Sequence, residues 1–449
     1  MDAIEQSSII PYSTSICSHV KGQDHSMSKR LMTTEDPIPR AFLLGLVLGR
    51  QSRLGGEESL KELALLVETA GAMVAGQALY KQRTWDVHGA LSEGHKGDLL
   101  QGIQATRSSL LVVDFDLKPA QARNLSDELE IQVLDRSQVI LDIFAVHART
   151  EVARTQVELA QLEYALPRLR HMWAHLSREQ GGIGLRGPGE KQIETDRRLM
   201  RLRIQHLRRR LETIERRREI SRRKRGDAFR VGIVGYTNVG KSSLLNALCG
   251  SEVLAKDQLF STLDPTSRRM KLPKGEDVIL TDTVGFIGRL PHHLVNSFHA
   301  TLSETATSDL LLVVEDMTCK DLMERRQAVE TVLDQLGCSD TPRLFVGNKM
   351  DLVDSQEAIS KRSLPDGCLV SSKTGEGLDE LRHAIEDIVC QERVRVSLFL
   401  PIHRGDVLAS MFRKGQVLGV RYEEDHIHVM ALLASGDADR LKQQGFRIE

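Results

Sequence analysis

The chain has 449 residues, 41% of them hydrophobic, and a formal net charge of −1. That length fits about three domains, and that apolar share supports ordinary globular cores, which excludes a disordered or fibrous chain. Six scattered cysteines without a CxxC pair argue for reduced thiols and against a disulfide or zinc framework.

Residues 1–40 read as a loose polar tail without a signal-peptide pattern. The first apolar run, Ala41–Gly49, is too short to span a bilayer. A soluble cytoplasmic protein without a membrane span is expected, with part-time peripheral contact with a membrane left open.

Residues 41–150 alternate strand and helix patterns. Ala41–Val47, Ala72–Tyr80, Leu110–Val113 and Ile131–Leu134 read as strands, and Glu57–Thr69 and Pro119–Leu129 as helices. The alternation predicts a small parallel sheet in an N-terminal α/β domain.

Residues 151–226 predict a long antiparallel helical hairpin. Val152, Thr155, Leu159, Leu162, Leu166, Leu169, Trp173 and Leu176 follow 3-4 spacing, as do Met200, Ile204, Leu207, Leu211 and Ile214. Between the two seams, residues 181–190 hold five glycines and a proline, the composition of a tip loop. Pro167 is expected to kink the first arm. Residues 197–225 carry fourteen Arg or Lys against three Glu, a local charge of +11. The clusters Arg208-Arg209-Arg210 and Arg216-Arg217-Arg218, with Arg186 and Lys191 near the tip, suit a grip on RNA phosphates. A solvated coiled-coil face is the plainer alternative, although such faces usually mix Glu with Arg.

Residues 229–392 predict a second α/β domain. Gly235-Tyr236-Thr237-Asn238-Val239-Gly240-Lys241-Ser242 is G-x-x-x-x-G-K-[ST], set between the strand-like Phe229–Val234 and the helix-like Ser243–Leu248. That context marks a phosphate-binding loop. Its amides and the helix N-terminus face phosphate oxygens. Lys241 reaches the β- and γ-phosphates, and Ser242 ligates Mg²⁺.

Asp282-Thr283-Val284-Gly285 follows the strand-like Asp277–Leu280. Asp282 is expected to hold Mg²⁺ through water, and the Gly285 N–H to sense the γ-phosphate. Asn348-Lys349-Met350-Asp351 follows Leu344–Val346. Asp351 accepts from the ring N–H and exocyclic amine of guanine. Adenine leaves that carboxylate unpaired, and sites built this way discriminate by roughly 10⁴. Ser371-Ser372-Lys373 backs the guanine O6, with Ser372 where alanine is usual. Phe260-Ser261-Thr262-Leu263-Asp264 supplies a threonine for the Mg²⁺ shell, with Thr262 preferred over Thr266. Lys241, Thr262 and Gly285 are the expected catalytic groups. Phe286 stands where many GTPases place a glutamine, so it cannot orient the attacking water. Asn238 holds the position that binds a monovalent cation in some P-loop GTPases, which makes potassium a candidate second cofactor.

Residues 393–449 predict a small α+β domain, with Val394–Leu400 and His426–Leu433 as strands and Gly405–Arg413 and Asp437–Gln444 as helices.

The segment Gly181-Gly182-Ile183-Gly184-Leu185-Arg186-Gly187-Pro188-Gly189-Glu190-Lys191-Gln192-Ile193-Glu194-Thr195-Asp196-Arg197-Arg198 closely resembles the linker of the HflX family of GTPases, and upstream Leu141-Asp142-Ile143-Phe144-Ala145 through Ala160-Gln161-Leu162 also fits that family. Phe260–Thr266 resembles that family's switch I. Asp282–Ile287 followed by Leu290-Pro291-His292-His293-Leu294 resembles its switch II. The match runs from about residue 41 to 449. It implies GTP and GDP as ligands, a monomer, and the large ribosomal subunit with its rRNA as partner. It also implies GTP-dependent splitting or rescue of ribosomes under stress. Members are described with ATP-dependent RNA unwinding tied to the N-terminal domain. There the family usually has Tyr-Ile-Gly-x-Gly-Lys, where this chain has Ala90-Leu91-Ser92-Glu93-Gly94-His95-Lys96. Lys191 replaces the more usual threonine. Two other readings stay open: a switch acting on a protein effector, and an RNA-remodelling NTPase.

Overall fold

The computed structural model describes residues 38–48, 53–82, 91–169, 188–224, 229–250, 260, 264–287, 305–319, 321–353, 367–391, 393–414, 416–423, 425–434, 441–442 and 446. They fall into two compact units. The first holds the described residues up to Glu215 with Phe260 and Asp264; the second holds the rest.

The first unit begins with β1 (Arg40–Leu48), α1 (Arg53–Thr69), β2 (Met73–Gln82), α2 (Glu93–Thr106), β3 (Leu110–Val113), α3 (Pro119–Leu129) and β4 (Gln132–Asp135). The strands form a parallel sheet in the order β2-β1-β3-β4. Strand β3 is buried along its whole length, so it need not alternate polar and apolar residues, and it reads Leu-Leu-Val-Val. Phe42, Leu44, Leu99, Leu111 and Leu125 centre the core.

Helix α4 (Arg136–His147) was absent from the expected elements. Asp135 caps it, accepting from the Gln138 N–H at 3.0 Å. Asp135 also accepts from the Tyr164 hydroxyl at 2.7 Å and from Arg168 at 3.0 Å. Burial pushes its carboxyl up despite these bonds. Arg136, 2% exposed, is held between Glu62 and Asp114. Opposite charges on both sides compensate its desolvation.

The arm comprises α5 (Glu151–Ala165) and α6 (Pro188–Lys224). Leu159, Ile204, Leu207 and Leu211 form one patch of the seam, and Ala165, Leu169 and Met200 another. Met200 packs by Ala165 while Arg210 reaches Glu151. The two helices therefore run antiparallel. Two expectations change here. Helix α5 ends at Ala165, and residues 166–168 form a turn, because Pro167 has no N–H to continue the ladder. Pro188 opens α6 instead of lying in the tip loop, since proline suits the first helical position. Residues 170–187, including Trp173 and Leu176, lie outside the described residues.

The second unit contains β5 (Arg230–Gly235), α7 (Lys241–Cys249), β6 (Thr266–Lys271), β7 (Asp277–Asp282), β8 (Leu310–Asp316), α8 (Leu322–Gln335), β9 (Arg343–Asn348), β10 (Gly367–Leu369) and α9 (Leu378–Gln391). The sheet order is β10-β9-β8-β5-β7-β6. All neighbours are parallel except β6, which pairs antiparallel with β7. Strands β5, β8 and β9 are mostly buried, and their C-terminal ends feed the loops that carry chemistry.

The chain closes with β11 (Arg393–Pro401), α10 (Gly405–Lys414), β12 (Gln416–Tyr422) and β13 (His426–Ala434). These strands form an antiparallel sheet ordered β11-β13-β12. Val396, Leu398, Leu400, Val429 and Ala431 meet Val407 and Met411 in its core. Of the expected helix Asp437–Gln444, only 441–442 are described, and both are helical. No described helix is long and apolar enough to cross a membrane.

Candidate functional site

The phosphate-binding loop runs from the end of β5 to the start of α7. Gly235 and Gly240 have φ of 150° and 91°. A Cβ on Gly235 would overlap the Val314 carbonyl, and one on Gly240 the Asn348 side chain. Only glycine satisfies both positions. The loop thus carries the amides of Asn238, Val239, Gly240, Lys241, Ser242 and Ser243 into the N-terminus of α7, while the Thr237 N–H donates to the Phe286 carbonyl.

Lys241 is 6% exposed. Its ammonium donates to the Tyr236 carbonyl at 2.8 Å and the Gly235 carbonyl at 3.2 Å. Burial pulls it down to about 8, with the Asp282 charge opposing. The Ser242 hydroxyl donates to Asp282 Oδ2 at 2.6 Å. Thr283 Oγ1 donates to the Ile233 carbonyl at 2.7 Å, fixing the Asp282–Gly285 segment on β5. One hydroxyl and one carboxylate oxygen side by side are the hard donors that Mg²⁺ takes. Magnesium bound there would neutralise phosphate charge.

Asn348, fully buried, joins three loops. Its Nδ2 donates to the Val239 carbonyl at 2.8 Å, and its Oδ1 accepts from the Ser372 N–H at 3.0 Å. The Lys349 ammonium donates to the Asn238 carbonyl at 2.9 Å. Asp351 Oδ1 accepts from the Ser371 hydroxyl at 2.7 Å. Met350 and Asp351 sit in a single 3-10 turn, with Asp351 exposed, and Lys373 lies in the turn after Ser372. The phosphate loop, the Asn348–Asp351 motif and the Ser371–Lys373 loop thus meet at one end of the sheet.

Asp316, at the end of β8, was not among the expected residues. It pairs with Lys349 at 2.7 Å and accepts from Thr318 Oγ1 at 2.6 Å. Burial pushes its carboxyl up, but the bonds from Lys349 and Thr318 outweigh burial and hold it below its ordinary value. An apolar run ending in acids, Leu310–Asp316, was the available signal.

Switch I divides. Ser261, Thr262 and Leu263 lie outside the described residues, so the magnesium role of Thr262 stays an expectation. Phe260 packs edge-on to Phe144, with ring centroids 4.7 Å apart. Asp264 accepts from the Arg149 and Thr150 N–H groups, each at 3.0 Å, and from the Thr150 hydroxyl. Both side chains expected at the nucleotide are engaged by α4 and the start of α5.

On the arm, Arg208 pairs with Glu163 at 2.7 Å, and Arg210 with Glu151. Arg203 pairs with Glu158 through two bonds. The glutamates missing from residues 197–225 are thus supplied by α5, and part of the basic run is a paired face. Arg209, Arg216 and Arg217 are exposed and form no ion pair among the described residues. Arg186, and the side chains of Lys191 and Arg218, lie outside the described residues.

A phosphate loop, a switch aspartate beside its serine, and an Asn-Lys-x-Asp motif on a six-stranded sheet define a P-loop GTPase, an enzyme that hydrolyses GTP. Residues 230–349 match the model described as "50S ribosome-binding GTPase", 57–145 "GTP-binding GTPase N-terminal", and 147–225 "GTP-binding GTPase Middle Region". A GTPase HflX of Caldanaerobacter subterraneus subsp. tengcongensis is 41% identical over 405 residues, covering 90% of this chain and 93% of its own. The GTPase HflX of Escherichia coli K12 is 40% identical over 373 residues, covering 82% and 88%. A solved GTP-binding protein from Sulfolobus solfataricus in complex with GDP is 28% identical, covering 79% and 99%, with a TM-score of 0.42. The chain belongs to the HflX family of GTPases.

Proposed function

We propose that this GTPase binds the large ribosomal subunit through its arm and uses GTP to split or rescue ribosomes under stress. The observation that carries this is the exposed Arg209, Arg216 and Arg217, without ion pairs among the described residues, on a helix whose Arg203, Arg208 and Arg210 are paired within the arm. Guanidinium groups not occupied by carboxylates remain available for phosphate. The match of residues 230–349 to a model described as "50S ribosome-binding GTPase" supports the same partner.

The reading places the protein in the cytoplasm as a monomer. Thr262 completes the Mg²⁺ shell when the γ-phosphate is present. Asn238, with φ of 60° and exposed within the phosphate loop, holds potassium against the phosphates, in the place of an arginine finger. Turnover faster in KCl than in NaCl supports that role, and equal turnover removes it.

The deciding experiment is sucrose-gradient co-sedimentation with separated subunits, with GDP or a non-hydrolysable GTP analogue. Analogue-dependent binding to the large subunit, weakened by salt and by Arg209, Arg216 and Arg217→Glu together, is expected. Binding indifferent to nucleotide would remove the central claim.

A further inference from the structure

Switch II is hydrogen-bonded to the phosphate loop. The Thr237 N–H donates to the Phe286 carbonyl at 2.6 Å, and the Phe286 N–H to the Gly235 carbonyl at 3.0 Å. Tyr236 and Phe286 form an isolated parallel bridge beyond the named strands. The Phe286 side chain is 1% exposed, so its ring anchors the bridge.

The bridge presses Gly285 against the loop. A Cβ on Gly285 would lie 2.9 Å from Thr237 Cγ2 and 3.0 Å from Lys241 Nζ. The space between Gly285 and the ammonium does not admit a methyl group without displacement. A phosphoryl group is larger than a methyl.

The two nucleotides differ in what they need. A β-phosphate takes the amides at the start of α7 and one face of Lys241. Neither bridge bond uses those amides. A γ-phosphate must in addition touch both Lys241 and the Gly285 N–H, so it has to enter the space that the bridge closes.

We propose that Phe286 is a positioning residue that sets the preference between di- and triphosphate. Its backbone bridge seats Gly285 on Lys241, the diphosphate binds with the bridge intact, and the triphosphate binds only after it opens. Two backbone hydrogen bonds at about fivefold each in equilibrium make GDP tighter than a GTP analogue by roughly ten- to thirtyfold. The bridge spends part of the binding strength of GTP on opening switch II, which ties the movement of that segment to the γ-phosphate.

The test is calorimetric titration of the full chain with GDP and with a non-hydrolysable GTP analogue. Wild type is expected to favour GDP by about tenfold or more. Phe286→Ala, which removes the anchoring ring, tightens the analogue about tenfold and moves GDP by less than twofold. Phe286→Leu, which keeps an apolar anchor, restores most of the wild-type ratio. Equal affinities in wild type would overturn the proposal. So would an unchanged ratio in Phe286→Ala, or a parallel weakening of both nucleotides there, which is the mark of a residue that only packs.

Discussion

Asp264 closes the start of the first arm helix by binding its capping residue, Thr150. Its carboxylate takes the Thr150 N–H at 3.0 Å and the Thr150 hydroxyl. The same hydroxyl accepts from the Ala153 N–H at 3.2 Å, the N-cap bond of α5. A residue of the switch I sequence therefore supports a helix cap 114 positions away. Asp264→Ala removes this support and leaves two backbone N–H groups to water. A loss of about 1 kcal/mol is expected in urea unfolding. Thr150→Ala, which removes the cap itself, should cost at least as much.

Lys241 makes nucleotide affinity depend on pH. Burial lowers it to about 8, and bound phosphates favour its charged form. Binding therefore takes up a proton above about pH 8. The affinity for GDP should be flat from pH 6.5 to 7.5 and fall by up to about tenfold per unit above pH 8. In the free protein the sign is opposite for stability. The unfolded lysine binds more protons between about 8 and 10.5, so this group's contribution to stability rises across that window. Calorimetry across buffers of different ionisation heat measures the proton uptake.

Asp142 on α4 has no ion-pair or hydrogen-bond partner among the described residues, and burial raises it to about 7. The folded chain keeps this proton up to about pH 7, and the unfolded chain loses it near pH 4. Its contribution to stability is complete below that lower value and is lost as pH rises to 7. Asp142→Asn should therefore stabilise at pH 8 by about 2–4 kcal/mol and change little at pH 4. Thermal unfolding at the two pH values separates this from a general effect of the amide.

Asp351, held in place by the Ser371 hydroxyl at 2.7 Å, is the residue we propose reads guanine. Asp351→Asn replaces an acceptor of two N–H groups by a side chain that offers a donor. GTP binding should fall by at least about a hundredfold, and xanthosine triphosphate should become the better ligand. Unchanged GTP affinity in this variant would remove the base assignment.

The phosphate loop, β3 and α3 were legible because their signals are local: a glycine pattern, four consecutive apolar residues, a proline at a helix start. Helix α2 was not. Gly94, Gly97 and Gly102 disguise it, and it forms because Leu99 and Ile103 pack in the core beside Phe42. A Cβ on Gly102 would lie 3.0 Å from the Phe42 ring, so the glycine serves close packing. Strand β6, Thr-Ser-Arg-Arg-Met-Lys, has almost no apolar pattern. It exists through its ladder with β7, at the edge of the sheet. The engagement of Asp264 with Thr150, and the pairing of arm arginines with Glu151, Glu158 and Glu163, join residues far apart in sequence. No window of sequence contains both partners.

Helix α6 is one uninterrupted element of 37 residues, with no glycine or proline after Gly189. At 1.5 Å per residue it measures about 55 Å. A rotation of about 5° at one end therefore displaces the other by about 5 Å, the length of one helical turn. Angular change is converted into travel by length alone, without straining a single torsion. The same length makes the helix intolerant of interruption. A proline near its middle would bend it and absorb the rotation locally, so the far end would stay where it was.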